Sequence, residues 1–114
     1  MSPQTFIILG RSGCGKGTQA ELLKGYLQKK DPKTNVFYLE TGKEFRAFIQ
    51  KDNYTSKLSK EIYDKGGLQP EFLAVSMWSE LMISNLKGGE HLILDGTPRK
   101  LHEAEVLDSA LMFY

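Results

Sequence analysis

Between Gly10 and Gln19 the chain reads GRSGCGKGTQ, where glycines at 10, 13, 15 and 17 surround a single lysine, Lys16. Glycine lets the backbone take conformations closed to other residues, so several N–H groups can converge on one anion. A helix beginning there adds the positive end of its dipole, and Lys16 adds a point charge. This combination suits the holding of phosphate. In this composition the short pattern G-x-x-x-x-G-K would arise by chance about one time in ten, whereas G-x-x-G-x-G-K-G-T falls to roughly one in ten thousand. The alternative is a glycine-rich turn carrying a surface lysine. Gly17 stands where most phosphate loops have the Ser or Thr that ligates Mg²⁺, and Thr18 comes one place late, so Thr18 is assigned to a phosphate oxygen instead. Cys14 is either a small filler or a thiol activated by helix-terminal N–H groups and Lys16.

Such a loop must be positioned by a strand before it and a helix after it. TFIIL (Thr5 to Leu9) and HLILD (His91 to Asp95) are short apolar runs of the kind covered on both faces in a parallel sheet; VFYLE (Val36 to Glu40) is a third, more amphipathic strand. From about Gly15 to Lys30, Ala20, Leu23 and Leu27 mark one helix face, with Leu22 and Tyr26 beside it. From Thr41 to Leu86 the chain reads as three helices: one with Phe45, Phe48 and Ile49, one with Leu58 and Ile62, one with Phe72, Val75, Trp78 or Ser79, Met82 and Leu86. Gly66-Gly67 and Gly88-Gly89 are expected to stop the second and third, and Pro70 suits the first turn of the third. A last helix from about Leu101 places Leu101, Ala104, Leu107 and Leu111 on one face. The expected fold is α/β, with a core of about 1–40 and 88–114 and a helical insert of about 41–87 between the second and third strands.

At 114 residues the chain makes one domain at most. With 15 Lys+Arg against 14 Asp+Glu its net charge is +1, so no global field draws it to nucleic acid or anionic lipid. Any anion must be held locally. No apolar run approaches a membrane span, and the N-terminus lacks a signal-type stretch. The single cysteine excludes an internal disulfide and suits a reducing cytoplasm. His91 and His102 lack a second metal-ligand motif and read as structural or solvated. Trp78, Met77 and Met82 read as core filler.

Taken together, four motifs resemble the adenylate kinases and related nucleoside monophosphate kinases. GRSGCGKGTQ is similar to the family's G-x-P-G-x-G-K-G-T-Q, TGKEFR (Thr41 to Arg46) to T-G-D-x-x-R, GGLQP (Gly66 to Pro70) to G-x-L-V-P, and DGTPR (Asp95 to Arg99) to D-G-F-P-R. The resemblance implies a P-loop NTPase fold, with a parallel sheet, helices on both faces and a helical insert that binds the monophosphate. It spans the whole chain yet corresponds to about the first half of the family's domain: three strands, without the last strands and the lid with its arginines. By the same resemblance Gly13, Cys14, Gly15, Lys16, Gly17 and Thr18 would hold ATP, with Asp95 holding waters of Mg²⁺. Thr41, Gly42, Arg46, Gly67, Leu68, Gln69, Gly96, Thr97, Pro98, Arg99 and Glu103 would hold AMP or another nucleoside monophosphate. Lys16, Arg46 and Arg99 would act on the transferring phosphoryl group, giving two diphosphates. Only three arginines occur against twelve lysines, and two of them fall on motif positions where bidentate phosphate bonds are wanted.

Plainer readings stay open: Arg46 and Arg99 as surface ion-pair partners, Asp95 as a cap of the DGTP turn. Three departures from the family pattern matter. Ser12 replaces a proline, Lys43 replaces the aspartate of T-G-D, and Glu103 stands where a glutamine reads adenine. A carboxylate accepts hydrogen bonds but cannot donate to the adenine ring nitrogen, which leaves a kinase for another base as the alternative. A nucleotide-binding chain with little turnover is the second alternative. Lys16→Ala is expected to abolish ATP protection while changing the thermal midpoint little. The first strand is expected to keep one uncovered edge, with self-association as the consequence.

Overall fold

In the computed structural model, which describes residues 2–10 and 15–114, the three apolar runs form a parallel sheet. The strands are β1 (Thr5–Ile8), β2 (Val36–Glu40) and β3 (His91–Asp95), in the order β1-β3-β2. The central strand β3 is buried along all five residues, which is why HLILD is an almost unbroken apolar run. Ile8 pairs with Asp95, and Glu40 pairs with the same Asp95, so all three strands end at one level. The loop after β1, the helix after β2 and the DGTPR turn after β3 therefore leave from one edge of the sheet. That is the edge at which α/β sheets bind ligands.

Five helices complete the described residues: α1 (Lys16–Lys30), α2 (Thr41–Phe48), α3 (Tyr54–Asp64), α4 (Glu71–Asn85) and α5 (Leu101–Phe113). The alternation along the strands divides the core between two faces. Ile93 packs with Ala20 and Leu27 of α1, joined by Phe6, Ile8, Val36 and Tyr38. Leu39 and Leu94, paired in register, pack on the other face with Trp78 and Met82 of α4 and Leu107 of α5. The insert has its own small core, in which Phe45 of α2 meets Leu73 and Ala74 of α4, with Phe48 and Met77 alongside. Among the described residues no helix is long and apolar enough to cross a membrane.

Several boundaries differ from the sequence expectation. Leu9 lies beyond β1 and is exposed. Pro70 occupies the cap of α4 rather than its first turn, where its carbonyl accepts from Leu73 N and Ala74 N at 3.1 and 3.3 Å. Gly66 and Gly67 close α3 as expected, donating to Tyr63 O and Ile62 O at 3.0 and 2.9 Å in a Schellman pattern. By contrast α4 stops at Asn85, because Leu86 turns extended before Gly88-Gly89 is reached. Those glycines serve the next turn, where the Glu90 carboxylate accepts from Lys87 N and Gly88 N. Burial raises the Glu90 carboxyl, but the backbone N–H bonds together outweigh it and hold the group below its ordinary value.

Helix faces also shift. Leu22, Tyr26, Leu58, Phe72 and Leu101 are exposed, while α3 buries Ser56 and Ser59. Ser59 is tied to Gln69, and that bond keeps a polar face of α3 inward. His91 is structural: fully buried, its Nδ1 accepts from Gln4 N at 2.9 Å and its Nε2–H donates to Asp31 Oδ2 at 3.2 Å. It thus joins the start of β1 to the end of α1. His102 is mostly exposed, 3.7 Å from Glu71.

Candidate functional site

Gly15 caps α1 with φ 90°, a left-handed conformation that favours glycine, and its carbonyl accepts from Gln19 N at 3.0 Å. Lys16, Gly17 and Thr18 form the first turn that follows. Their free N–H groups are the positive end of the helix. Gly13 and Cys14 lie outside the described residues. Lys16 crosses from α1 to the end of β3, where its Nζ donates to Asp95 Oδ1 at 2.5 Å. The other oxygen, Oδ2, accepts from Tyr38 OH of β2 at 3.1 Å. Asp95 is 1% exposed, so these two donors are what make a buried carboxylate tolerable. Burial first, and the Asp95 charge second, push the Tyr38 phenol well above its ordinary value, which keeps it a donor.

Beside this cluster lies a cavity of about 440 Å³, within the range that holds nucleotide-sized ligands. Thr41, Gly42 and Arg46 line it from α2, Gly67, Leu68 and Gln69 from the α3–α4 turn, and Gly96, Arg99 and Glu103 from the end of β3 and α5. The sequence thus assigned these nine to one place from three separated motifs, and the fold brings them together. Thr97 and Pro98 sit behind the wall: they do not line the cavity, and Thr97 is fully buried. Phe45, Tyr63, Gly66, Ala74 and Lys100 also line it and were not assigned to the site from the sequence. Phe45 was legible as the residue one helical turn after Thr41. Tyr38 was legible as the polar-tipped aromatic two residues before the end of an amphipathic strand.

Arg46 bonds Glu40 Oε1 at 3.1 Å with both side chains substantially exposed, an ion pair a stronger anion can displace. Arg99 donates from Nε to Gly96 O at 3.1 Å. Both guanidinium groups therefore stand at the cavity with donors to spare, since each carries five. The Gln69 amide is engaged at both ends by Ser59, at 2.8 and 3.0 Å. Glu103, 3% exposed, accepts from Thr97 Oγ1 and, at 3.4 Å, from Arg99 N. The carboxylate expected to face a base is thus occupied within its own loop. Among the described residues, no three His, Cys, Asp or Glu side chains gather into a metal-binding group.

The arrangement offers a helix terminus and lysine on one side of a buried carboxylate and two arginines in a cavity on the other. The family model for adenylate kinase matches residues 8–113. Adenylate kinase of Desulforamulus reducens is 36% identical over 105 residues, covering 92% of this chain and 46% of the relative. That of Flavobacterium psychrophilum is 36% identical over 105 residues, covering 92% and 51%. That of Ruminiclostridium cellulolyticum is 37% identical over 106 residues, covering 93% and 46%. The chain spans about half the length of the curated relatives it matches. With the match running through the loop, the insert and the cavity wall alike, the chain belongs to the adenylate kinase family.

Proposed function

We propose that the chain takes part in reversible phosphoryl transfer from MgATP to AMP, giving two ADP. The observation that carries this is the cavity holding Arg46 and Arg99 next to the Lys16–Asp95 pair. A monophosphate in the cavity would meet two guanidinium groups, while ATP phosphates at the α1 terminus would meet N–H groups and Lys16. Transfer between them needs alignment and charge neutralisation more than a covalent residue, so no general base is assigned.

Asp95 suits Mg²⁺ bound through water. It is a single buried carboxylate at the strand ends, with no hydroxyl at position 17 to serve as a direct ligand. Mg²⁺ commonly keeps several waters and uses one or two carboxylates plus substrate phosphates. When bound with ATP, it supplies charge neutralisation on the phosphates. Lys16 then exchanges its bond to Asp95 for a phosphate oxygen, Tyr38 keeps the carboxylate oriented, and Arg99 and Arg46 align the acceptor.

A second reading is that these 114 residues by themselves bind nucleotide with little turnover, since they span about half the length of the relatives they match. A cytoplasmic site of action belongs to the same proposal, resting on the single cysteine. Calorimetry with ATP and with AMP tests binding, and coupled ADP formation with AMP, GMP, CMP and UMP tests turnover and acceptor. Absence of binding by both ATP and every monophosphate overturns the proposal.

A further inference from the structure

The turn after β3 is held from an unexpected direction. Glu103 is the third residue of α5, the position from which a glutamate ordinarily reaches back to the N–H of the capping residue, here Lys100. Instead its Oε2 accepts from Arg99 N, one residue earlier, and its Oε1 accepts from the Thr97 hydroxyl. Arg99 in turn donates from Nε to Gly96 O at 3.1 Å. One carboxylate thereby ties 97 and 99 to α5, and Arg99 ties itself to 96. The hydroxyl of Thr97 is fully buried and the carboxylate 3% exposed, so each is the partner the other requires.

We propose that Glu103 is a positioning residue for Arg99, acting with Thr97 as one unit, and that it does not read the base. This rests on the reading of the cavity as a monophosphate site. Glutamine in its place has one acceptor. If that oxygen takes the Thr97 proton, the NH₂ group faces Arg99 N–H donor against donor. A base reader at 103 would be sensitive to the same substitution in another way, through the ratio of affinities for different bases. A mere helix cap would show only in stability.

The test uses the full chain and the variants T97V, T97S and E103Q. Exchange of the Arg99 Nε–H with water, read by ¹⁵N NMR without nucleotide, reports how well this clasp of Glu103 and Thr97 holds Arg99 against Gly96 O; calorimetry with AMP and GMP reports its effect on binding. In T97V the exchange should speed up and both affinities fall alike, by roughly tenfold for one lost buried hydrogen bond to a charged group. T97S, which keeps the hydroxyl, should recover both readouts. E103Q should weaken AMP and GMP in equal proportion, and it carries the test if T97V does not fold. A tenfold change in the AMP to GMP ratio in E103Q, or unchanged Arg99 exchange in T97V, overturns the proposal. If the wild-type chain binds neither monophosphate, the cavity reading fails. Faster Arg99 exchange in T97V would then still support the clasp, and unchanged exchange would refute it.

Discussion

Lys16 and Asp95, 79 residues apart in sequence, meet at 2.5 Å where the first helix and the third strand converge. The lysine is 17% exposed and the carboxylate 1%, so the pair is neither a solvated surface bridge nor a sealed one. It places the cation of the phosphate loop on the residue that the family resemblance assigns to metal waters.

Lys16 therefore has a structural role beside the role proposed for it toward phosphate. Lys16→Ala leaves the Asp95 carboxylate with Tyr38 as its one remaining side-chain donor among the described residues, an expected cost of about 1 to 3 kcal/mol, the penalty for a buried polar group stripped of its partner. The expectation from sequence, a nearly unchanged midpoint, is thus revised: urea unfolding should show the loss without any nucleotide. Asp95→Asn added to Lys16→Ala should return part of it. A double mutant as unstable as the sum of the two singles would mean that the pair contributes nothing.

Gly96 has φ 92°, and a Cβ built there would collide with Thr41 Oγ1. Thr41 Oγ1 also donates to Asp95 O at 3.5 Å, so the collision falls where α2 meets the end of β3. Gly96→Ala should cost about 2 kcal/mol or more, from the left-handed backbone and the displaced threonine together. Thermal unfolding should register this as a drop on the order of 5 to 10 °C. A variant with wild-type midpoint would show that the turn relaxes freely.

A hydrogen bond from Thr34 holds the Asp31 carboxyl below its ordinary 3.8; burial opposes this, and the bond to His91 adds to the lowering. A depressed folded pKa contributes stability that is full above 3.8 and is lost as pH falls through the folded value. Asp31→Asn should thus be less stable than wild type at pH 5 and above, and the gap should narrow below pH 4. Urea midpoints of both proteins across that range decide it. A gap that widens toward acid would contradict the assignment.

What the sequence revealed follows how local its causes are. The three strands, the start of α1 at Gly15 and the end of α3 at Gly66-Gly67 rest on short-range patterns, and they appear where expected, with β1 one residue shorter. Nine cavity residues were also legible, because motifs carry them. Faces were harder to read: Leu58, Phe72 and Leu101 fit an apolar stripe by spacing yet lie exposed, because the faces that turn inward are set by partners outside the helix, such as Gln69 for α3. Glu103 shows the same limit. Its motif position suggested contact with a base, and nothing local indicated that Thr97, standing where the family has phenylalanine, would bond it.

Binding should outlast turnover in the 114-residue chain, and the reasons lie at the sheet edge and in the distribution of cations. β1 pairs only with β3, leaving one row of its backbone groups unpaired among the described residues, with Ile7 42% and Leu9 72% exposed beside it. Such an edge is a template for another strand, so the chain should associate as concentration rises. Ile7→Lys should suppress this in sedimentation velocity. On the chemical side, Arg46, Arg99 and Lys100 line the cavity proposed for the acceptor, while Lys16 is the cation described next to the α1 terminus. Loss of one arginine from around a transferring phosphoryl group costs on the order of 10³ to 10⁵ in rate in other phosphoryl transferases. ADP formation should therefore be slower by about that factor than in a relative of full length, with ATP and AMP affinities far less affected. Monomer of verified mass that turns over at the rate of a full-length relative would overturn this, and would mean that the groups around Lys16 suffice for the transfer.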